Sequence, residues 1–370
     1  MKNVMRAVLF VIISALTLFW GTTGGRAAFA ASPSAQPTSF KFRTSFVANM
    51  AYSPFYAAQE LYWPKLNLDG IALPGKGAAA TVQSVAAGSE QMGTASIASL
   101  MNGIQQGMPI KIIAVIQRRD PTGIIFMKDS GIRELKDLVG KRVGTFPGGF
   151  TGSLLRTALR QNGIDEQKIR MVNVPPGGHT SLLLERKIDA VAEFAGAGDV
   201  WMRCDGYDTA SIPLSAYGLN FYGTAVFVNT KWADQVGDEV VSRALLGIIQ
   251  GSILVKQDPE QALRIVQKLN PEIQLDRFKE WASLPAYIRW SWHPESSVLN
   301  KQGFGWMDEA EMVKTQKVLV ESGQLQKEIE VGDYYTNKYL KDSRVNQAAM
   351  EMVRIPWPEV PDDVKKKCGL

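Results

Sequence analysis

With 370 residues, the chain can bury two or three packed units. Its 45% hydrophobic and 21% charged residues exclude a disordered chain, a collagen and a coiled coil. Two cysteines (Cys204, Cys368) and two histidines (His179, His293) are too few for a disulfide scaffold, a four-cysteine zinc site or most histidine metal sites, and the net charge of +5 is partly N-terminal.

Lys2 and Arg6 precede an apolar run at 7–20, shorter than the roughly 20 residues that span a bilayer. Ala28 and Ala30 then form an A-x-A cleavage site. This reads as a secretory signal peptide over 1–30, the other reading being an uncleaved anchor. Residues 31–38 read as a flexible leader. Removing 1–30 takes away Lys2, Arg6 and Arg26 and leaves a charge of +2, which gives no reason to expect a nucleic-acid partner. No cysteine follows the signal, so no lipid anchor is expected. The expected compartment is a periplasm or extracellular space.

The mature chain opens with a strand at 41–47. A helical stretch starts at Pro54, with Phe55, Ala58 and Leu61 three residues apart. Strands at 71–74, 91–95 and 110–116 alternate with helices at 78–87 and 97–106. A second set has strands at 123–128, 142–146, 171–174, 189–194 and 224–229. Its helices fall at 133–138, from Leu154 to near Gly163, and at 180–187. Beyond Val240 the pattern turns helical, at 239–256, 258–269, 275–283 and 308–322. Alternating strands and helices predict open, largely parallel sheets. The chain therefore reads as two α/β units followed by a helical run.

Several stretches resemble substrate-binding proteins of bacterial ABC importers, in the branch of nitrate, sulfonate, taurine and thiamine-pyrimidine binders. They are Tyr52-Ser53-Pro54-Phe55-Tyr56-Ala57-Ala58, residues 88–96, 128–132 and 137–144, Pro175-Pro176-Gly177-Gly178 and Lys187-Ile188-Asp189-Ala190-Val191. The resemblance covers about residues 40–340. It implies a two-lobed α/β periplasmic-binding-protein fold of type II: two open sheets flanked by helices, two crossing strands as hinge, and a helical C-terminal region. Lobe one would be 39–118 plus 227–370 and lobe two 119–226. Ligand would lie in the cleft, which hinge motion would close.

It further implies a monomeric binder, not an enzyme, with an ABC permease as partner and no cofactor or metal. The segment Gly218-Leu219-Asn220-Phe221-Tyr222-Gly223 is similar to the pyrimidine-type branch and points to a pyrimidine-like heterocycle. That branch often continues with Asp where this chain has Thr224. A sulfonate, nitrate or aromatic acid is the alternative ligand. A thiamine-pyrimidine-synthase-like enzyme and a periplasmic sensor are the alternatives of other classes. The synthase needs a cysteine-rich motif, which this sequence lacks.

Candidate site residues follow from their places. Thr151, Gly152 and Ser153 close a glycine-rich turn beginning at Pro147, where helix-end amides would face an electron-rich group. The turn lacks the Gly-Lys-Ser/Thr ending of a phosphate loop. Tyr52, Tyr217 and Tyr222 offer aromatic faces for stacking. Thr94 and Ser96 end a strand and could hydrogen-bond ligand. Arg118 sits at the outward crossing, and Glu193 at a strand end where a carboxylate could accept from an amino group. Each has a plainer reading as turn, core or hinge residue. Trp281, Tyr287, Trp290 and Trp292 read either as core filler or as a cleft wall. Cys204 and Cys368 either pair in an oxidising compartment or stay apart.

Overall fold

Ser39 and Lys41 point outward while Phe40 and Phe42 are buried, the period-two pattern of a strand. In the computed structural model, which describes residues 36–146, 150–174, 178–291 and 297–370, that strand is Thr38–Arg43 (β1). It ends sooner than the expected 41–47. The Thr44 hydroxyl donates to the Phe46 carbonyl at 2.7 Å, turning the chain out of the sheet. The expected signal peptide and residues 31–35 of the leader lie outside the described residues, as do Pro147–Gly149, Pro175–Gly177 and the side chains of Trp290 and Trp292.

The other strands are β2 (Leu68–Leu73), β3 (Met92–Ser96), β4 (Ile110–Val115), β5 (Thr122–Met127), β6 (Arg142–Thr145), β7 (Arg170–Asn173), β8 (Ala190–Phe194), β9 (Thr209–Pro213) and β10 (Thr224–Asn229). They form two five-stranded sheets, ordered β2-β1-β3-β10-β4 and β7-β6-β8-β5-β9. The two orders have the same pattern. β9 is absent from the sequence reading. It is a short edge strand ending in Pro213, a place where proline costs no ladder bond.

Four of the five strands in each sheet run the same way, as the alternation of strands and helices predicts, and one strand is reversed. β10 runs antiparallel to β3 and β4, and β5 antiparallel to β8 and β9. The reason is topological. β5 and β10 are the strands by which the chain enters each sheet from the other. They start at the hinge, whereas the neighbours antiparallel to them end there.

The crossings themselves pair. Ile116 and Gln117 N–H groups both donate to the Thr224 carbonyl at 2.9 Å, Gly223 N–H to the Gln117 carbonyl at 2.9 Å, and Asp120 N–H to the Phe221 carbonyl at 2.9 Å. These bonds satisfy backbone groups that would otherwise be stranded between the lobes.

Behind the first sheet lies the buried helix Asp238–Gln257, apolar on nearly every face. Its Gly247 and Gly251 are one turn apart. A Cβ on Gly251 would stand 2.1 Å from the Pro54 carbonyl oxygen, and one on Gly247 2.4 Å from the Trp63 ring. Glycine here lets the segment carrying Pro54 and Trp63 press against the helix. Trp63 completes the contact by donating its indole N–H to the Ala244 carbonyl at 2.9 Å.

A further cluster joins the lobes on the C-terminal side. Helix Arg277–Ser291 packs with helix Gly198–Cys204 of the second lobe and helix Asp362–Cys368. Trp201 donates its indole N–H to the Ser283 hydroxyl (2.5 Å) and the Lys279 carbonyl (3.1 Å). Lys279 pairs with Asp205 at 2.8 Å. Cys204 and Cys368 form a disulfide.

Candidate functional site

The loop after β1 carries Tyr52 on a short turn, Met50–Tyr52, capped by the Asn49 side chain. Two long-range contacts hold it. The Tyr52 hydroxyl meets the Ser45 hydroxyl at 2.8 Å. The Met50 N–H donates to the Glu280 carboxylate at 2.7 Å, across the space between β1 and helix Arg277–Ser291. Burial pushes the Tyr52 phenol upward, so it is neutral. Glu280 is pushed up to about 7 by burial, which outweighs the stabilising Met50 N–H.

Beside this turn is a cavity of about 70 Å³, several times the roughly 10–15 Å³ one water needs. Tyr52 and Phe55 form one wall, Leu284 and Tyr287 of helix Arg277–Ser291 another, and Gln117 and Thr224 of the hinge a third. Trp357, from the C-terminal segment, also lines it. Phe55 is held by stacking on Phe42, with centroids 4.5 Å apart. Burial holds the Tyr287 phenol neutral as well. Among the described residues, no acid, lysine, arginine or histidine lines the cavity.

Of the sequence-predicted ligand-site residues, Tyr52 lines this cavity, and so does Tyr287 from the tryptophan-rich stretch that reads either as core filler or as a cleft wall. Arg118 is buried and engaged: it donates to the Trp306 carbonyl and the Tyr222 hydroxyl, each at 2.8 Å, and lies 5.0 Å from the Tyr222 ring centre. That hydroxyl also accepts the Asp308 N–H at 3.2 Å. Arg118 and Tyr222 thus clamp the hinge to the C-terminal region. Tyr217 packs within the second lobe, its hydroxyl accepting the Leu135 N–H at 3.1 Å and its carbonyl the Asn162 amide at 3.0 Å. Ser96 caps helix Ile97–Gln105 by accepting the Ser99 N–H at 3.4 Å. Thr94 is fully buried in β3, its hydroxyl bonded to no described residue.

A second cluster forms at the hinge end of the second sheet. Thr151 and Gly152 lie in the first turn of helix Phe150–Gln161, against Thr145 at the end of β6. The Thr151 hydroxyl is buried and bonded to no described residue. Ser153 follows, its carbonyl accepting the Thr157 hydroxyl at 3.1 Å. Glu193, at the end of β8, accepts the Phe194 N–H at 2.9 Å and lies 4.0 Å from His179 Nε2. The His179 ring meets Phe146 edge-on at 5.8 Å. None of Thr151, Gly152, Ser153 and Glu193 is among the residues that line the Tyr52 cavity.

Sequence reasoning missed Gln117, Glu280 and Trp357. Gln117, a polar residue directly after an apolar strand at a crossing, carries a local signal. Trp357 reaches the cavity only through tertiary packing.

Two sheets of one order, joined by paired crossing strands, define a two-lobed periplasmic-binding-protein fold. The chain belongs to the NMT1/THI5-like family, whose model matches residues 49–262. It is 23% identical over 352 residues to the riboflavin-binding protein RibY of Chloroflexus aurantiacus, covering 90% of this chain and 95% of that one. It is 21% identical over 316 residues to a 4-amino-5-hydroxymethyl-2-methylpyrimidine phosphate synthase of Legionella pneumophila, covering 83% and 95%. Among solved structures, the periplasmic aliphatic sulphonate binding protein SsuA from Escherichia coli matches with a TM-score of 0.62 at 14% identity, over 80% of this chain and 91% of that one.

Proposed function

We propose that this protein is the substrate-binding component of an ABC importer, acting in the periplasm after removal of a signal peptide. It captures one small, uncharged, flat solute, a pyrimidine-like heterocycle, beside the hinge and hands it to a membrane permease. The observation that carries the ligand class is the cavity at Tyr52: aromatic walls, one polar edge and no charged side chain among the described residues. Aromatic faces gain by stacking on a planar ring. An anion placed there would lose its hydration with no cation to replace it, which weighs against a sulfonate or nitrate.

The binding role draws support from the fold and from the named binding proteins among its relatives. A Cys204–Cys368 disulfide suits an exported protein. It also leaves no free thiol among the described residues for cysteine chemistry. Native mass spectrometry of protein purified without refolding tests the reading. A retained neutral heterocycle is expected. A retained sulfonate, or turnover of an added pyrimidine, would overturn it.

A further inference from the structure

The cavity has one polar edge, and its wiring is specific. Gln117 is fixed through its backbone, its N–H donating to the Thr224 carbonyl and its carbonyl accepting the Gly223 N–H, each at 2.9 Å. Its side chain is fixed too: the Thr224 hydroxyl donates to Gln117 Oε1 at 2.6 Å. Threonine is β-branched and stiff at χ1, so this hydroxyl is a well-positioned donor. A carboxamide has two ends. With the oxygen end occupied, the NH₂ end keeps two protons that no described residue accepts. Both Gln117 and Thr224 line the cavity and are half-buried.

We propose that Gln117, oriented by Thr224, is the specificity-determining donor of the site, selecting solutes that present a neutral acceptor, a ring nitrogen or carbonyl oxygen, toward the hinge. The inference rests on the reading of the cavity as the ligand site. A fixed neutral donor on a largely apolar wall discriminates: a ligand lacking the acceptor leaves a polar group unpaired on binding. Because Gln117 and Thr224 belong to the two crossing strands, the ligand would also bridge the segments about which the lobes turn.

Calorimetric titration of the full mature chain tests this, using 4-amino-5-hydroxymethyl-2-methylpyrimidine and propanesulfonate as probes. The proteins are wild type, Gln117→Leu, Gln117→Glu and Thr224→Val, each checked for an unchanged far-UV spectrum and thermal midpoint. Wild type should bind the pyrimidine and not the sulfonate. Gln117→Leu should weaken the pyrimidine roughly two- to twelve-fold, the worth of one neutral hydrogen bond. Thr224→Val should weaken it less, by freeing the amide to rotate. Gln117→Glu should weaken it most, because a carboxylate repels the ring nitrogen lone pair.

Pyrimidine binding kept or tightened in Gln117→Glu would mean that an acceptor is wanted at this edge, overturning the donor assignment alone. Wild-type affinity in all three variants would remove Gln117 from the site while leaving the ligand class intact. A wild type that takes only the sulfonate, or neither probe, overturns the ligand reading and this inference with it.

Discussion

The Glu280 carboxylate accepts the backbone N–H of Met50 at 2.7 Å, joining two residues 230 positions apart. The bond ties helix Arg277–Ser291 to the turn that presents Tyr52, so two walls of the cavity share one anchor. It also places a carboxylate in a buried setting.

That setting gives the first prediction. Glu280 titrates near 7 in the folded chain, against 4.5 for a glutamate free in water, so the folded state holds the proton more tightly. The resulting stabilisation is complete below about pH 4.5 and is lost as pH rises through 7. Glu280→Gln keeps an acceptor for Met50 but cannot ionise. It should match wild type at pH 4.5 and exceed it at pH 8, by up to roughly 3 kcal/mol. Urea midpoints across that range measure the difference. Asp120, raised to about 6 by burial, tilts both proteins alike and cancels in the comparison. Parallel pH curves for the two proteins would refute the assignment.

The second prediction separates the two clusters. If the ring sits in the chamber, Tyr52→Leu removes a stacking face and should cost the pyrimidine roughly two- to twelvefold in affinity, from roughly 0.5–1.5 kcal/mol of aromatic pairing. Glu193→Gln, on the other cluster, should change it less than about twofold. A loss of ten- to a hundredfold in Glu193→Gln, in the range of a lost charged hydrogen bond, would move the ligand to the His179–Glu193 face.

The third prediction concerns the close helix contact. Gly251→Ala gains up to about 1 kcal/mol in helix propensity but drives a methyl to 2.1 Å from a backbone oxygen that cannot rotate away. Overpacking of this kind costs about 1–3 kcal/mol, so a net loss of stability is expected from the chemical-denaturation midpoint. An equal or higher midpoint would show that the Pro54 segment yields easily.

The fourth prediction is for the disulfide. Replacing Cys204 and Cys368 together by serine should cost about 2–5 kcal/mol, since the bridge closes a loop across 164 residues of sequence separation. Thermal melts with and without reductant should converge for the double variant and differ for wild type. An unreactive wild type under denaturing reduction would count against the pairing.

Much of the frame is legible in the sequence because it depends on local periodicity. Buried runs such as 110–116 and alternations such as that around Phe40 and Phe42 announce strands without help from distant residues. Strand direction is less accessible. β5 and β10 look like any other apolar strand, and their antiparallel sense comes from crossing between lobes.

The cavity is the hardest part to foresee. The sequence pattern stops helix Arg277–Ser291 near 283, because Pro285 removes a helical donor, yet the helix runs on through it. That extension is what brings Tyr287 to the chamber. Arg118 and Tyr222 stand out by residue type and position, but only the fold reveals that they satisfy each other.

The link between Cys204 and Cys368 also changes what kind of motion the molecule can make. Two lobes joined only by a pair of crossing strands can gape like a shell. Here a second covalent attachment lies well away from the first in sequence, between the second lobe's helix Gly198–Cys204 and the C-terminal helix. A body held at two points keeps one easy rotation, about the line through them. Ligand entry would then proceed by a torsional rocking of one lobe past the other. Under reducing conditions that line disappears and the wider swing returns.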